Sequence, residues 1–158
     1  MGAVRARTTH RPADTKVATI KQVLNGKPRE IFSVAPLATV FDALKLMAAT
    51  NVGALLVMDG DRLVGLFSER DYARKIVLHG KTSRETPVRE VMVERVPCVR
   101  PDQSVEEAMA IVTELRTRHL PVVEDGKVVG IVSIGDLVKE HISEQGFVID
   151  QLERYINR

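Results

Sequence analysis

Two stretches of this chain decide its fold: Val40-Phe41-Asp42-Ala43-Leu44-Lys45-Leu46-Met47 and Val105-Glu106-Glu107-Ala108-Met109-Ala110-Ile111-Val112. They begin 65 residues apart, and the same offset pairs residues 33–77 with residues 98–142 without a gap. Further upstream the offset becomes 68, so the first copy contains three extra residues in a loop near Gly26. A constant offset over this length indicates an internal duplication.

Each copy predicts the same order of elements. In both quoted stretches apolar residues recur at i, i+3, i+4 and i+7, which is the pattern of an amphipathic helix. Two short apolar runs follow in each copy, and an Asp/Gly turn separates them, as in a β-hairpin. A short strand near residues 32–34 or 98–99 and a second helix after Ser68 or Ser133 complete a β-α-β-β-α unit.

One such unit, about 60 residues long, has too small a core to fold alone. We therefore expect an α/β (α+β) fold in which two tandem β-α-β-β-α repeats pack sheet to sheet with pseudo-twofold symmetry. This packing creates two clefts, each near a helix N-terminus. The expected segments are a flexible basic N-terminal tail (1–15), repeat one (16–80), repeat two (81–142) and a C-terminal helix (143–158) that packs on the module or on a second subunit.

The distribution of charge argues against a nucleic-acid-binding protein. The net charge is +2. The first 16 residues contain one acidic residue, Asp14, and four basic residues: Arg5, Arg7, Arg11 and Lys16. The rest of the chain is close to neutral, so the folded body offers no basic face. Apolar residues make up 44% of the chain and aromatic residues 4%, which predicts an aliphatic core.

The chain has no pattern typical of a membrane or secreted protein. No apolar run approaches the ~20 residues that span a bilayer, and the N-terminus lacks the apolar segment of a secretory signal. Cys98 is the only cysteine, so an internal disulfide is impossible. We expect a cytoplasmic protein that contacts neither a membrane nor nucleic acid.

The common catalytic motifs are missing. Gly60 and Gly65 have the spacing of a phosphate-binding P-loop, but the Lys-Ser/Thr pair that should follow is absent. No nucleophile elbow occurs. His10, His79 and His141 have no metal-ligand spacing to Cys, Asp or Glu clusters. We expect neither an enzyme nor a metal site.

A polar turn at the end of the second hairpin strand is the strongest candidate for a ligand site. It reads Gly65-Leu66-Phe67-Ser68-Glu69-Arg70-Asp71 in one copy and Gly130-Ile131-Val132-Ser133-Ile134-Gly135-Asp136 in the other. The Ser hydroxyl and the free N–H groups of the helix start can donate to phosphate, and the Asp carboxylate can accept both hydroxyls of a ribose. Arg70 adds a permanent positive charge. A capping box that holds no ligand fits the same spacing.

The repeat period, this Gly-φ-φ-Ser-x-x-Asp turn and the Arg118-His119-Leu120-Pro121-Val122 strand entry resemble the CBS domain pair, or Bateman module. The resemblance covers about residues 17–142, and residues 68–75 are similar to the stand-alone bacterial members. It implies a regulatory module that binds AMP, ADP, ATP, NAD or S-adenosylmethionine between its repeats. Such modules transmit occupancy to a partner protein as a conformational change and commonly form homodimers. The alternative function class is a structural scaffold that binds no ligand.

The resemblance also implies positions for the ligand. The ribose-binding Asp of the family falls on Asp71 and Asp136, and the neighbouring hydroxyl falls on Ser68 and Ser133. The adenine slots would be formed by two sets of residues: Thr19, Ile20, Gly53, Ala54 and Leu55 in one cleft, and Pro87, Val88, His119, Leu120 and Pro121 in the other.

The two copies differ at these positions, which predicts unequal affinities. Arg70 of the first copy has Gly135 as its counterpart, whereas Arg118 and His119 of the second replace Gly53 and Ala54. Arg118 is an expected phosphate contact, and His119 is either a phosphate contact or a hydrogen-bonded packing residue. Lys27, in the longer loop, is either a further phosphate contact or an ordinary exposed lysine.

Overall fold

A computed structural model describes residues 17–156 and contains the duplicated unit that the sequence predicts. The first repeat consists of α1 (Ile20–Asn25), β1 (Ser33–Val34), α2 (Val40–Thr50), β2 (Ala54–Asp59), β3 (Arg62–Ser68) and α3 (Glu69–Asp71), which continues as π-helical turns over Tyr72–Val77. The second consists of a 3-10 turn (Val88–Glu90), α4 (Val105–Leu115), β4 (His119–Glu124), β5 (Lys127–Ser133) and α5 (Ile134–Ile156).

The two long helices of the repeats begin and end in the same way. Thr39 caps α2, because its hydroxyl accepts a hydrogen bond from the Asp42 N–H at 3.1 Å. Ser104 caps α4 through the Glu107 N–H at 3.0 Å. These oxygens satisfy donors that a helix start otherwise leaves unpaired. Each helix ends at a residue of left-handed conformation, Asn51 or Arg116.

Both predicted hairpins are present and have the same register. Leu55 pairs with Phe67 between β2 and β3, and Leu120 pairs with Val132 between β4 and β5. Strand β1 adds a parallel third strand to the first hairpin. In the second repeat the strand expected near residues 98–99 is reduced to a bridge between Val99 and Val122. The sheets therefore have three and two strands.

Each repeat completes its core with the segment that precedes the other repeat. Ile20 and Val23 of α1 are buried against β4, β5 and α5 of repeat two. Val88 and Val91 are buried against α2, β2 and β3 of repeat one. This exchange of segments was not predicted from the sequence.

Symmetric backbone bonds fix the exchanged segments. The Ile20 N–H donates to the Gln103 carbonyl at 2.9 Å, and the Val88 N–H donates to the Ala38 carbonyl at 2.8 Å. A third apolar cluster joins the two hairpins and includes Leu56, Leu66, Val128 and Ile131. The repeats thus pack sheet to sheet, and the burial of apolar surface drives this packing.

The C-terminal segment continues the second repeat. Helix α5 is unbroken from Ile134 to Ile156, so the helix expected from residue 143 onward extends the one that begins after Ser133. Leu152 and Tyr155 on this extension are exposed. The predicted tail, residues 1–15, lies outside the described residues. Among residues 17–156 no helix has the length and apolar character needed to cross a bilayer.

Candidate ligand-binding site

Both Ser-x-x-Asp turns form complete capping boxes. The Asp71 N–H donates to Ser68 Oγ at 3.2 Å, and the Ser68 N–H donates to Asp71 Oδ2 at 3.0 Å. At the second turn the corresponding distances are 3.1 and 2.9 Å between Ser133 and Asp136. These bonds use only Oδ2, and among the described residues no hydrogen bond reaches Oδ1 of either carboxylate. The cap therefore orients the carboxylate and leaves Oδ1 for other partners, which are a ligand and, at Asp71, the Lys75 ammonium group at 3.5 Å.

The Asp71 turn opens onto a cleft of about 640 Å³ between the repeats. Ser68, Arg70 and Asp71 line it from the first repeat, and Arg118 and His119 line it from the second. With Gly53 and Ser133, which also line it, seven of the predicted site residues thus meet in one cleft. Its apolar surface comes from Leu66, Val93, Pro97, Leu115 and Ile134.

Two arginines of this cleft, Arg95 and Arg116, were missed in the sequence analysis. Arg116 is the left-handed residue that ends α4, two positions before Arg118. Arg95 lies 68 residues after Lys27, the offset that relates the two segments upstream of the repeats. This offset is the signal that could have identified Arg95.

The Asp136 turn opens onto a second cleft of about 720 Å³. The predicted residues Lys27, Gly53, Ala54, Ser133 and Asp136 line it, together with Pro28, Glu30 and Phe32. The Lys27 side chain forms hydrogen bonds within the protein: its Nζ donates to Asp136 Oδ2 at 2.7 Å and to the Ile131 carbonyl at 2.8 Å.

The Lys27 contact changes the ionisation of Asp136. Partial burial alone would raise the pKa of this carboxyl group. The hydrogen bonds from Lys27 and from the Ser133 backbone, together with the Lys27 charge, outweigh burial, so the pKa is lowered. Asp136 is therefore a carboxylate at neutral pH.

His119 and Gly53 lie between the clefts and line both of them. A Cβ atom at Gly53 would be 3.9 Å from His119 Nε2 and 3.9 Å from Glu69 Oε2, which is an ordinary contact distance. Burial is the main reason why the pKa of His119 is lowered; Lys27 and Arg118 lower it further, against the opposite effects of Asp136 and Asp71. The imidazole is therefore neutral at pH 7.

The remaining predicted adenine-slot residues do not bring their side chains into either cleft. Ile20, Leu55, Val88 and Leu120 are fully buried in the apolar cores. Thr19 caps α1 by accepting a hydrogen bond from the Gln22 N–H at 3.4 Å. Two prolines stand apart from the cleft linings: Pro87 forms a bridge with Thr39, and Pro121 accepts a backbone bond from Val99. A role for their backbone groups stays a prediction.

The described residues contain no group of three or more His, Cys, Asp or Glu side chains that could hold a metal ion. The polar side-chain groups of the two clefts are carboxylates, hydroxyls, guanidinium and ammonium groups, the His119 imidazole and the Asn51 amide. Such groups suit a ligand that combines a sugar diol with an anionic group.

The fold and these clefts define a class of paired-repeat modules with two clefts between the halves. The chain belongs to the CBS domain family, because the family's sequence model matches residues 27–78 and 88–143. The second match begins at the 3-10 turn, so the family repeat includes one of the exchanged segments.

Relatives of this chain are CBS domain proteins. It is 41% identical over 123 residues to the mitochondrial CBS domain-containing protein CBSX3 of Arabidopsis thaliana; the match covers 75% of this chain and 60% of the relative's length. Among solved structures, a signal-transduction protein with CBS domains from Burkholderia ambifaria is 50% identical, with a TM-score of 0.78 over 81% of this chain and 96% of that chain. CBSX2 in complex with AMP is 28% identical, with a TM-score of 0.67 over 81% and 98%.

Proposed function

We propose that this chain is a regulatory module that binds an adenosine-containing ligand between its CBS repeats. The ligand is AMP, ADP, ATP, NAD or S-adenosylmethionine. The observation that carries the proposal is that both Ser-x-x-Asp turns open onto clefts at the junction of the repeats, of about 640 and 720 Å³. These volumes lie within the range of small-molecule sites. The complex of the related CBSX2 with AMP supports the ligand class.

The cleft of Asp71 offers a partner for each part of such a ligand. Asp71 Oδ1 accepts no hydrogen bond from the described residues and can accept a ribose hydroxyl. Arg70 and Arg118 lie on opposite repeats and can both donate to a phosphate group. Leu66 and Val93 supply apolar surface for the adenine ring.

Ligand binding can be transmitted because the cleft is built from both repeats. A ligand shifts the arrangement of the repeats only by its difference in affinity for the two arrangements. A partner protein that recognises one arrangement would then respond to the ligand. We propose that the partner-binding form is a homodimer, which light scattering after size exclusion would detect as twice the chain mass of 17.5 kDa.

Thermal denaturation tests the binding proposal. AMP, ATP or NAD at a concentration about 100-fold above its Kd should stabilise the wild type by about 2.7 kcal/mol, because ligand binds only the folded state. Asp71→Ala should remove most of this gain. Asp61→Ala is the matched control, because Asp61 lies in the exposed turn between β2 and β3, outside both clefts.

The same experiment separates this proposal from the scaffold alternative. If AMP, ADP, ATP, NAD and S-adenosylmethionine all leave the melting temperature unchanged, the chain is better described as a scaffold. We also expect no turnover, so that ATP and NAD incubated with pure protein for hours remain intact by chromatography.

A further inference from the structure

We infer that the two clefts are not equivalent: the Asp71 cleft takes the nucleotide, and Lys27 keeps the Asp136 cleft closed to it. This inference rests on the proposed function and adds which cleft binds and which residue excludes ligand from the other. It follows from the hydrogen bonds of the two carboxylates and from the charges that line the two clefts.

Oδ1 of Asp136 accepts no hydrogen bond from the described residues, but a ribose diol that also uses Oδ2 would have to displace Lys27. Its Nζ is 2.7 Å from that oxygen, which also accepts the Ser133 N–H at 2.9 Å. Two donors fill the lone pairs of a carboxylate oxygen. Lys27 is also held by the Ile131 carbonyl, and the Lys27 and Asp136 side chains are only 27% and 28% exposed. A ligand would have to break two hydrogen bonds of a half-buried ammonium group.

Asp71 has no such cross-cleft partner. The nearest cation is Lys75, on the same helical segment, with its Nζ 3.5 Å from Oδ1. Lys75 donates its hydrogen bond elsewhere, to the Val91 carbonyl at 2.9 Å. The Ser68 hydroxyl donates to Asp71 Oδ2 at 2.9 Å, but a hydroxyl hydrogen rotates freely and can turn to a ligand oxygen. Binding at Asp71 therefore breaks no ion pair with a second element.

The charges of the clefts favour the same assignment. The Asp71 cleft is lined by two acids, Glu69 and Asp71, and by four arginines: Arg70, Arg95, Arg116 and Arg118. The Asp136 cleft is lined by one lysine, Lys27, against two acids, Glu30 and Asp136. The phosphate of a nucleotide is attracted to the first set and repelled by the second.

The difference originates in the loops that follow the exchanged segments. The loop of the first repeat is three residues longer and carries Lys27, which reaches Asp136. Arg95 has the corresponding place in the shorter loop of the second repeat and lines the Asp71 cleft. Among the side chains that the structure describes, no acid lies within ion-pair distance of Arg95, so its guanidinium group is available to a phosphate.

Isothermal titration on the full chain with AMP, and with adenosine as a probe that carries no phosphate, tests the inference. The wild type should bind one AMP per chain, and Asp71→Asn should weaken binding by about tenfold or more, because a carboxylate–hydroxyl bond is lost. Lys27→Met keeps the aliphatic stem and removes the ammonium group but leaves Glu30 and Asp136 to repel a phosphate, so a second site should open for adenosine rather than for AMP. Adding Asp136→Asn to Lys27→Met should abolish this second site.

Two further variants separate the ammonium group from other effects of the substitution. Lys27→Arg keeps the cation and, like the wild type, should still bind one adenosine. Lys21→Met, at an exposed position of α1 outside both clefts, is the matched control and should also bind one. Two equivalent AMP sites in the wild type, or a single adenosine site in Lys27→Met, would overturn the inference. Failure of AMP, ATP and NAD to bind any variant would instead overturn the proposed function.

Discussion

His119 is the residue at which the two clefts are electrostatically connected. Its imidazole is largely buried between them. The charges that act on it are those of the cations Lys27 and Arg118 and of the carboxylates Asp71 and Asp136. The Glu69 carboxylate is also nearby, because Gly53 lies between it and the His119 imidazole. Burial has the largest effect on the His119 pKa and favours the neutral form.

This environment predicts a pH dependence of stability. The pKa of His119 is lowered from 6.5 in the folded chain, so below about pH 6.5 the unfolded state binds a proton that the folded state does not. The free energy of unfolding should therefore fall as the pH decreases from 6.5 toward the lowered pKa, with a slope of at most about 1.4 kcal/mol per pH unit. Urea denaturation between about pH 7.5 and pH 5.5 measures this slope.

Two variants make the pH prediction specific. His119→Gln should reduce the slope, whereas His79→Gln, at an exposed position, should leave it unchanged. The lowered pKa of Asp136 does not interfere, because its stabilising contribution is lost only below its ordinary value of 3.8. Identical slopes for the wild type and His119→Gln would contradict the prediction.

At the residue scale, site residues at the ends of strands and helices could be predicted from the sequence better than the contacts of site residues in loops. Ser68, Asp71, Ser133 and Asp136 could be predicted because they follow a strand and begin a helix, where capping fixes their geometry. The contact of Lys27 with Asp136 joins residues that are 109 positions apart through an irregular loop. No local sequence pattern encodes such a contact, so the sequence did not predict that Lys27 would bind Asp136.

At the element scale, two glycines allow strands to approach the exchanged segments. A Cβ atom on Gly65 of β3 would collide with the Met92 side chain and lie 3.0 Å from the Val93 carbonyl oxygen. That region is fixed, because Leu66 and Val93 exchange two backbone hydrogen bonds of 3.0 and 2.9 Å. Gly65→Ala should therefore destabilise the fold by about 1–3 kcal/mol through overpacking, as measured by urea denaturation.

The equivalent glycine of repeat two gives a graded comparison. A Cβ on Gly130 would meet only the side chain of Leu24, at 2.6 Å, and the end of a leucine can move more easily than a backbone carbonyl. Gly130→Ala should thus cost less than Gly65→Ala. A Cβ atom on Gly146 of α5 would meet no described residue outside its own helix within 4 Å, so Gly146→Ala should stabilise the helix by up to about 1 kcal/mol. A larger loss at Gly130 than at Gly65 would contradict this argument.

The ends of elements explain where the sequence prediction and the structure differ. In repeat one the final helical turns stop before Gly80, whose φ of +67° is accessible to glycine without strain. Repeat two has Gln145 at the corresponding position, and α5 continues to Ile156. From the fixed offset between the copies, we expected the last helix of repeat two to end near residue 142, because the last helical turns of repeat one end at the corresponding position.

At the scale of the whole molecule, the exchange of segments makes the two repeats depend on each other. The duplication was readable from the sequence because apolar residues recur at a fixed offset. The exchange was not, because Ile20 and Val23 fit the apolar pattern of either core equally well. Only the three-dimensional path of the chain places α1 on repeat two and Val88–Glu90 on repeat one.

This dependence predicts that the chain unfolds in a single cooperative transition. A substitution in α1 should therefore lower the stability of both repeats together. Ile20 is fully buried, so Ile20→Ala should cost about 2–5 kcal/mol. Although Ile20 lies in the core of repeat two, the most protected amides of β2–β3 and β4–β5 should lose protection in parallel, because unfolding of one half removes part of the core of the other. Calorimetry and hydrogen exchange by mass spectrometry measure both effects.

The neighbouring exposed residue provides the control for this prediction. Lys21→Ala changes the same helix without opening a core and should shift neither the melting temperature nor the exchange rates appreciably. If Ile20→Ala instead produced two calorimetric transitions, or raised exchange in β4–β5 while β2–β3 stayed protected, the repeats would be independent folding units. The clefts between them would then be contacts of two preformed domains, and a ligand that bridges them could alter their arrangement without affecting the stability of either core.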